Sequence, residues 1–249
     1  MTGHLDAINR MKKSTSDYLV ENYHTLSRRA DLSSPVVRKT VFRFFERAFL
    51  KLLPPDRDAR IIDVGCGEGA FLLFLQAQGY TNICGVDLSP ENVAMCAKSG
   101  LSVSLGDVTA RNWTENGSYD AIVALDLIEH IPKSEAGPFL MQLRLALNRG
   151  GRLILQTPNM GSLFASAIRF ADLSHEFGVT EKSAVDLLMI AGFRLNEIEV
   201  LPSWNATTPL GFLREKYLSV LHRLLSLAED SGRARIPTKN LIIVARRES

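Results

Sequence analysis

A glycine-rich loop flanked by carboxylates is the clearest chemical signal in the sequence. Residues 63–69 read D-V-G-C-G-E-G and lie between a short apolar run and a helical pattern. Gly65 and Gly67 let the backbone turn tightly and approach a ligand, because no Cβ stands in the way. This spacing predicts a cofactor site at the end of the first strand.

The charges around this loop discriminate between two cofactors. Gly65, Gly67 and Ala70 also satisfy G-x-G-x-x-A, the fingerprint of dinucleotide-binding proteins. A dinucleotide brings a pyrophosphate to the helix N-terminus, where Asp63 and Glu68 would repel it. S-adenosylmethionine (SAM) brings a sulfonium and an ammonium group, which acidic neighbours stabilise. The acidic loop therefore favours SAM over NAD.

Two further carboxylates follow the next two predicted strands. Asp87 lies 22 residues after Gly65 and can accept hydrogen bonds from both ribose hydroxyls, a role that would serve NAD equally well. Asp107 follows Gly106 at the end of the third strand and can accept a hydrogen bond from an adenine amino group. A nucleoside is expected to bind across these strand ends.

The elements that position these residues alternate between strand and helix, which is typical of an open α/β sheet. Short, nearly continuous apolar runs predict buried parallel strands at 60–64, 83–87, 101–105, 119–125 and 152–156. Two later strands are predicted at 193–200 and 241–244, the first after a helix over 180–191. Residues 1–55 show only helical patterns and predict an N-terminal extension or lid, with Tyr18 or Tyr23 over the cofactor; residues 56–249 form the main domain.

Two helices outside the predicted sheet are amphipathic. In the first, Ser34 and Pro35 are typical of a helix start. Its basic residues share one face, which we expect to be solvated; contact with phosphate or with an anionic membrane surface is the alternative. These residues are Lys39, Arg43, Arg47 and Lys51. The second forms most of an insertion over 202–237. Its apolar stripe is expected to pack on the sheet, with peripheral membrane contact as the alternative: Leu213, Tyr217, Val220, Leu221, Leu224 and Leu225.

Composition bounds the class of protein. A net charge of +2 over 249 residues argues against nucleic-acid binding by bulk electrostatics. The three cysteines, Cys66, Cys84 and Cys96, form neither a disulfide framework nor a zinc motif. The N-terminus has no apolar signal region, and the apolar run at 71–75 is too short to span a bilayer. We therefore expect a cytoplasmic protein.

Five motifs in this order resemble the class I SAM-dependent methyltransferases: D-V-G-C-G-E-G, G-V-D-L-S, G-D-V, Y-D-A-I-V-A-L-D and N-R-G-G-R-L-I-L-Q-T-P-N. The resemblance covers about residues 59–200 and the strand at 241–244. It implies a Rossmann-like seven-stranded sheet of order 3-2-1-4-5-7-6, with strand 7 antiparallel and helices on both faces. It also implies roles in cofactor binding: Asp63, Gly65, Cys66 and Gly67 around the methionine part, Asp87 and Leu88 at the ribose, Asp107 and Val108 at adenine, and Leu125 and Asp126 beside the methyl group.

Residues 126–132 read D-L-I-E-H-I-P, which is similar to the E-x-x-E-H-V/I-P stretch of ubiquinone-biosynthesis O-methyltransferases and of related sugar and polysaccharide-cluster enzymes. The first acid is Asp here. On a helical turn one face would carry Asp126, Glu129 and His130, which together could ligate a divalent metal. The matching residues of the ubiquinone-biosynthesis methyltransferases resemble such a site. Local hydrogen bonding by these acids is the favoured interpretation, and no metal is expected.

Histidine is the residue expected to remove the proton of a hydroxyl acceptor near neutral pH. Of five histidines, His130 follows strand four and His175 follows strand five, at the edge where open sheets bind ligands. With Glu129, they are the candidate catalytic residues. The expected reaction is methyl transfer to a small molecule, sugar or glycan precursor. Alternatives are a quinone or phenol acceptor, an NAD-dependent oxidoreductase, and a catalytically inactive SAM-binding partner subunit.

Overall fold

The computed structural model describes residues 32–110, 119–228 and 236–248. The candidate lid residues Tyr18 and Tyr23 lie outside this range. The helices are α1 (Pro35–Phe49), α2 (Ala70–Ala77), α3 (Pro90–Lys98), α4 (Lys133–Ala146), α5 (Ala165–Arg169), α6 (Glu181–Ile190) and α7 (Pro209–Ala228). The strands are β1 (Ile61–Val64), β2 (Ile83–Asp87), β3 (Val103–Leu105), β4 (Tyr119–Leu125), β5 (Leu147–Pro158), β6 (Ile198–Pro202) and β7 (Asn240–Arg246).

The strands form one seven-stranded sheet of order β3-β2-β1-β4-β5-β7-β6. β7 is antiparallel to both β5 and β6, and the pairs from β3 to β5 are parallel. The predicted fold class is therefore confirmed. This topology brings the carboxyl ends of β1 to β6 and the start of β7 to one edge of the sheet, where an open α/β fold binds its ligands.

Helices cover both faces of the sheet. On one face, α1 packs on α2, and Phe45 and Phe49 of α1 meet Phe71 edge to face, with ring centroids 5.1 and 5.5 Å apart. On the other face, α4 and α6 bury Leu140, Leu143 and Leu188 against the strands. The described part of the N-terminal extension is thus packed into the core beneath the glycine-rich loop.

The predicted bounds of the sixth strand were wrong at its start. Instead of a strand from residue 193, a 3-10 turn spans Leu195–Glu197 and β6 follows it. Glu197 causes this turn, because its buried carboxylate accepts a hydrogen bond from the backbone N–H of Arg194 at 2.7 Å. Phe193 is buried before the turn rather than in the strand.

The orientation predicted for α7 was also wrong. Its apolar stripe faces outward, with Leu213 and Tyr217 each 64% exposed, and its buried side chains are Glu215 and His222. Glu215 explains this orientation, because its Oε1 accepts hydrogen bonds from the backbone N–H groups of Asn205 and Ala206 at 2.9 and 2.6 Å. The second bond satisfies the backbone N–H of the buried Ala206, which would otherwise have no partner there.

Arg47 of α1 also holds α7 in this orientation, because it binds Glu215. Its guanidinium binds Glu215 with Nη2–Oε2 and Nη1–Oε1 distances of 2.9 and 3.3 Å and donates to the carbonyl of Ala206 at 2.7 Å. Of the predicted basic face, Lys39, Arg43 and Lys51 are exposed, whereas Arg47 contacts α7 with its guanidinium. One charge-assisted pair joins α1 to the start of α7. Among the described residues, no helix is long and apolar enough to cross a bilayer.

Candidate active site

The glycine-rich loop between β1 and α2 has the backbone that its sequence predicts. Gly65, Gly67 and Gly69 have φ angles of 71°, 55° and 78°, a left-handed conformation that side chains disfavour. A Cβ on Gly65 would lie 2.8 Å from Cδ1 of Leu127, in the loop after β4. The absence of side chains therefore creates an open, acid-lined cradle at the end of β1.

Asp63 lies at the base of this cradle and is almost completely buried. Burial, followed by the nearby Asp87 carboxylate and the Cys96 thiol, raises the pKa of Asp63 to about 8. No side-chain hydrogen bond to its carboxylate occurs in the part of the chain that the structure describes. A ligand that brings a positive charge here would ionise Asp63 and pair with it, whereas a pyrophosphate would not. This chemistry fits the ammonium group of SAM.

Asp87 ends β2 and has a structural role besides its predicted contact with ribose. Its Oδ2 accepts from the backbone N–H of Gly67 at 2.7 Å, and its Oδ1 accepts from Ser89 N and Asn92 Nδ2, each at 2.9 Å. Three donors occupy most of the acceptor capacity of a carboxylate, leaving room for about one ribose hydroxyl. Asp87 thus holds the cofactor loop in place, and Leu88 beside it is 49% exposed.

The residues predicted to face adenine follow β3. Asp107 is exposed, and its Oδ1 accepts from the N–H and the hydroxyl of Thr109 at 2.9 and 2.7 Å. Val108 is buried against the core of the sheet. Both lie at the carboxyl edge beside β2. Asp63, Asp87 and Asp107 thus lie at or just after the ends of the adjacent strands β1, β2 and β3.

Asp126 follows Leu125 at the end of β4 in a strained conformation, with φ at 52°. Its carboxylate accepts from Nε2 of Gln156 at 3.1 and 3.0 Å and from Nδ2 of Asn240 at 3.4 Å. The Oε1 of Gln156 in turn accepts from the hydroxyl of Ser203 at 3.0 Å. This network joins the ends of β4, β5 and β6 to the start of β7.

Glu129 lies in a 3-10 turn over Ile128–His130 and is 1% exposed. Burial and the neighbouring Asp126 carboxylate raise the pKa of Glu129 to about 8, and Thr157 donates to its Oε2 at 3.0 Å. The side chain is therefore mostly a neutral carboxylic acid at neutral pH. This protonation suits a structural or hydrogen-bonding role better than that of a base.

His130 is held by a chain of two hydrogen bonds. Its Nδ1 lies 2.9 Å from Oγ of Ser174, and that hydroxyl donates to Oδ1 of Asp172 at 2.5 Å. Because the one hydroxyl proton goes to Asp172, Ser174 accepts from Nδ1–H, which places the imidazole lone pair on Nε2. Burial lowers the pKa of His130, with His175 lowering it further, so the ring is neutral at pH 7.

His175 lies beside His130, with ring centroids 4.9 Å apart, and its Nδ1 is 3.2 Å from the carbonyl of Arg169. The backbone N–H of Glu176 donates to the carbonyl of Glu129 at 2.7 Å, which ties the loop after α5 to the turn after β4. The structure thus brings together all three predicted catalytic residues, although they come from two separate loops.

These residues line a cavity of about 520 Å³ at the carboxyl edge. Its polar lining residues are Asp126, Glu129, Asp172, Lys239, Asn240 and both histidines, and its other lining residues are apolar. The apolar lining comes from the last residue of β5, Pro158, and from the segment that follows it: Phe164, Ala167, Ile168 and Ala171. This mixed lining suits an acceptor that combines a hydroxyl with an apolar portion.

Three of the lining residues could also hold a metal ion. One ligand atom each from Glu129, His130 and His175 lies within 4.8 Å of the others. Asp126, which the sequence placed in this set, instead bonds to Gln156 and Asn240. The donors match a divalent metal in type, but a neutral Glu129 is a weak ligand.

Sequence reasoning missed several residues at this site. Asp172 and Ser174 form an Asx turn, with Ser174 N donating to Oδ1 of Asp172 at 2.8 Å, and the D-x-S spacing is a signal that could have shown it. Lys239 and Asn240 line the cavity from the start of β7. No local pattern marks them, since only the antiparallel direction of β7 brings them to this edge.

Comparison with known proteins gives a consistent result. A family model described as a methyltransferase domain matches residues 37–195. The chain is similar to the ubiquinone biosynthesis O-methyltransferase of Rickettsia conorii, with 26% identity covering 62% of this chain and 50% of the relative. It is also similar to that of Xanthomonas oryzae pv. oryzae, with 32% identity covering 41% and 44%. The chain spans about half the length of the curated relatives it matches.

Solved structures show the same fold. A SAM-dependent methyltransferase from Archaeoglobus fulgidus superposes with a TM-score of 0.63 at 17% identity, covering 84% of this chain and 94% of that one. A SAM-dependent methyltransferase from Thermotoga maritima, titled a possible histamine N-methyltransferase, gives 0.59 at 17% identity and covers 85% and 91%.

The family model covers well over half of the chain and includes the glycine-rich loop, the acidic strand ends and the E-H turn. The alternative of an NAD-dependent oxidoreductase is therefore set aside, and SAM is the cofactor that the family uses and that the buried Asp63 fits. The chain belongs to the methyltransferase-domain family and is a class I SAM-dependent methyltransferase.

Proposed function

We propose that this protein methylates a hydroxyl group of a small molecule, sugar or glycan precursor, with His130 as the general base. The observation that carries the proposal is the hydrogen-bond chain from Asp172 through Ser174 to Nδ1 of His130. It sets the tautomer that a base needs and places a carboxylate where it stabilises the imidazolium formed during reaction.

The cofactor is proposed to lie along the carboxyl edge of β1 to β4. Asp63 would pair with the ammonium group, the loop at Gly65 and Gly67 would contact the methionine part, and Asp87 would accept from ribose. SAM supplies an electrophilic methyl group when bound. The residues of this chain then have two tasks, which are to hold the acceptor oxygen in line and to remove its proton.

His130 performs the second task in this proposal. The acceptor oxygen would take the methyl group in exchange for its proton, leaving SAM as S-adenosylhomocysteine. That proton would pass to Nε2 of His130, while Ser174 and Asp172 would hold the ring. His175 is the alternative base, but its Nδ1 bonds to the neutral carbonyl of Arg169 rather than to a carboxylate-linked hydroxyl. Its ring is therefore oriented by a neutral backbone group, whereas the ring of His130 is linked to a carboxylate.

A quinone-type phenol is the second candidate acceptor. Two observations favour it: the curated relatives are named ubiquinone biosynthesis O-methyltransferases, and Phe164 and Ile168 give the cavity an apolar side. A phenol loses its proton more easily than a sugar hydroxyl, so the same histidine would serve both acceptors.

The test combines binding and turnover. Wild type should bind SAM in isothermal titration and release S-adenosylhomocysteine with some members of a panel of sugars, nucleotide sugars and dihydroxyphenols. His130→Ala should bind SAM within about threefold of wild type and lose at least about 100-fold in kcat. Unchanged turnover in His130→Ala would remove it as the base. SAM binding without turnover on any acceptor would favour the inactive partner-subunit alternative.

A further inference from the structure

The outer side of α7 carries a continuous apolar surface. Six residues recur with spacings of three and four and lie within an arc of about 100° on the helix. We call them the α7 seam: Leu210, Leu213, Tyr217, Val220, Leu224 and Leu227. Each is between 59% and 77% exposed. Isolated exposed apolar residues are ordinary, but an uninterrupted row along about 26 Å of helix marks a binding surface.

The charges beside the seam are all of one sign. Arg214 borders it on one margin, and Lys216 and Arg223 border it on the other, all of them exposed. The acidic residue of α7, Glu215, lies on the opposite side of the helix, where it is buried and bound to Arg47. The exposed side of α7 therefore combines an apolar row with basic margins.

This charge pattern indicates whether a second copy of α7 or a lipid surface binds the α7 seam. Two copies of α7 packed seam to seam would bring basic margins against basic margins, and the described part of α7 offers no exposed acid to pair them. An anionic lipid surface complements the margins, and its acyl region accepts the apolar row while arginine and lysine reach the headgroups. We propose that α7 docks this protein onto an anionic lipid bilayer.

The N-terminal end of α7 lies at the same edge of the sheet as the acceptor cavity. β6 leads into it, and Ser203 just after β6 donates to Gln156, which in turn binds Asp126 in the cavity wall. Phe170 and Leu173, in the segment that lines the cavity, are 75% and 80% exposed. A bilayer bound along α7 would thus lie beside the edge that takes up the acceptor.

The experiment is sedimentation of the full-length protein with vesicles. Wild type should bind vesicles of phosphatidylcholine with about 30% phosphatidylglycerol, bind phosphatidylcholine alone at least tenfold more weakly, and be largely released at about 0.5 M salt. The seam variant Leu213→Gln/Leu224→Gln should bind these vesicles at least about tenfold more weakly than wild type. Removing the charges with Arg214→Gln/Lys216→Gln/Arg223→Gln should weaken binding by about fivefold for each charge.

Matched controls change the same residue types elsewhere on the surface. Leu145→Gln/Leu195→Gln and Lys98→Gln/Lys133→Gln/Arg149→Gln alter exposed positions outside α7 and should bind vesicles like wild type. All variants should keep wild-type SAM affinity and turnover with a soluble acceptor, so a failure of the proposed reaction would be seen separately from a failure of docking.

Three results would overturn the proposal. One is the absence of binding to anionic vesicles. The second is binding that the seam and charge variants leave unchanged. The third is a concentration-dependent dimer that Leu213→Gln/Leu224→Gln dissociates, since it would show that a second copy occupies the seam.

Discussion

The hydroxyl of Ser174 lies 2.9 Å from Nδ1 of His130, although the two residues are 44 positions apart. The same hydroxyl donates to Asp172, so the imidazole is the donor in its bond to Ser174. The loop after α5 therefore decides which nitrogen of His130 can accept a proton. A base assembled from two loops depends on both for its tautomer and its pKa.

Replacing Ser174 by alanine tests this dependence. Ser174→Ala should lower kcat by about tenfold with KM nearly unchanged, because the ring loses its orientation but the cavity keeps its shape. The Asp172 carboxylate and a backbone hydrogen bond at Ser174 raise the pKa of His130, against the lowering by burial and by His175. The hydroxyl also links Nδ1–H of His130 to the Asp172 carboxylate. We expect its loss to lower that pKa by weakening this link, so the acid limb of the kcat profile should move to lower pH.

Asp172→Asn should move the acid limb in the same direction, since it removes the charge that favours the imidazolium. Ser166→Ala, which removes an exposed hydroxyl from α5 near the cavity, is the matched control and should resemble wild type. If Ser174→Ala lowered kcat without any change in the pH profile, Ser174 would be a packing residue only.

The raised pKa of Asp63 predicts that SAM binding releases a proton. Below its folded pKa of about 8, the buried Asp63 carboxyl is protonated; pairing with an ammonium group ionises it. At pH 6.5, titrations in buffers of different ionisation enthalpy should show about one proton released for each SAM bound. The release should decline above pH 8, where Asp63 is already ionised.

The same pKa predicts how stability depends on pH without ligand. Between the unfolded value near 4 and the folded value near 8, the folded state holds a proton that the unfolded state has lost, so the contribution of Asp63 to stability falls as pH rises through that window. Asp63→Asn should abolish the proton release and flatten this loss. The surface variant Asp186→Asn should change neither, and a wild-type release near zero would contradict the role of Asp63.

The sequence predicts the sheet and the cofactor loop well because their signals are local. Buried parallel strands are short and apolar, and only a few residue types suit a left-handed turn such as that at Gly65. The link from His130 to Ser174 has no such signal, since it depends on how two loops meet. Amphipathic spacing likewise showed which residues of α7 share a face, but Arg47, 168 positions before Glu215, decides which face is buried.

Two glycines with nearly the same φ separate backbone strain from steric blockage. Gly65 (φ 71°) and Gly100 (φ 73°) would both strain an alanine by about 1–2 kcal/mol. Only at Gly65 would the new Cβ meet a neighbour, Leu127 at 2.8 Å, because nothing lies within 4 Å at Gly100. Both variants should unfold at lower denaturant concentration than wild type.

The two variants should differ in cofactor affinity. Gly65→Ala should weaken SAM binding by at least about tenfold, because the methyl group reshapes the cradle, whereas Gly100→Ala should bind SAM like wild type. Equal affinities in titration calorimetry would show that the loop at Gly65 does not contact the cofactor.

Metal removal tests whether His130 and His175 bind a metal ion together with Glu129. Ligation at Glu129, His130 and His175 would require Glu129, with a pKa of about 8, to lose its proton and would occupy the base. We therefore expect dialysis against EDTA to leave kcat within about twofold, and added zinc to inhibit by binding the imidazoles. His175→Ala should relieve zinc inhibition while keeping His130 in place. Loss of turnover in EDTA with recovery in magnesium would show instead that these residues form a catalytic metal site, and the proton would then leave by another route than His130.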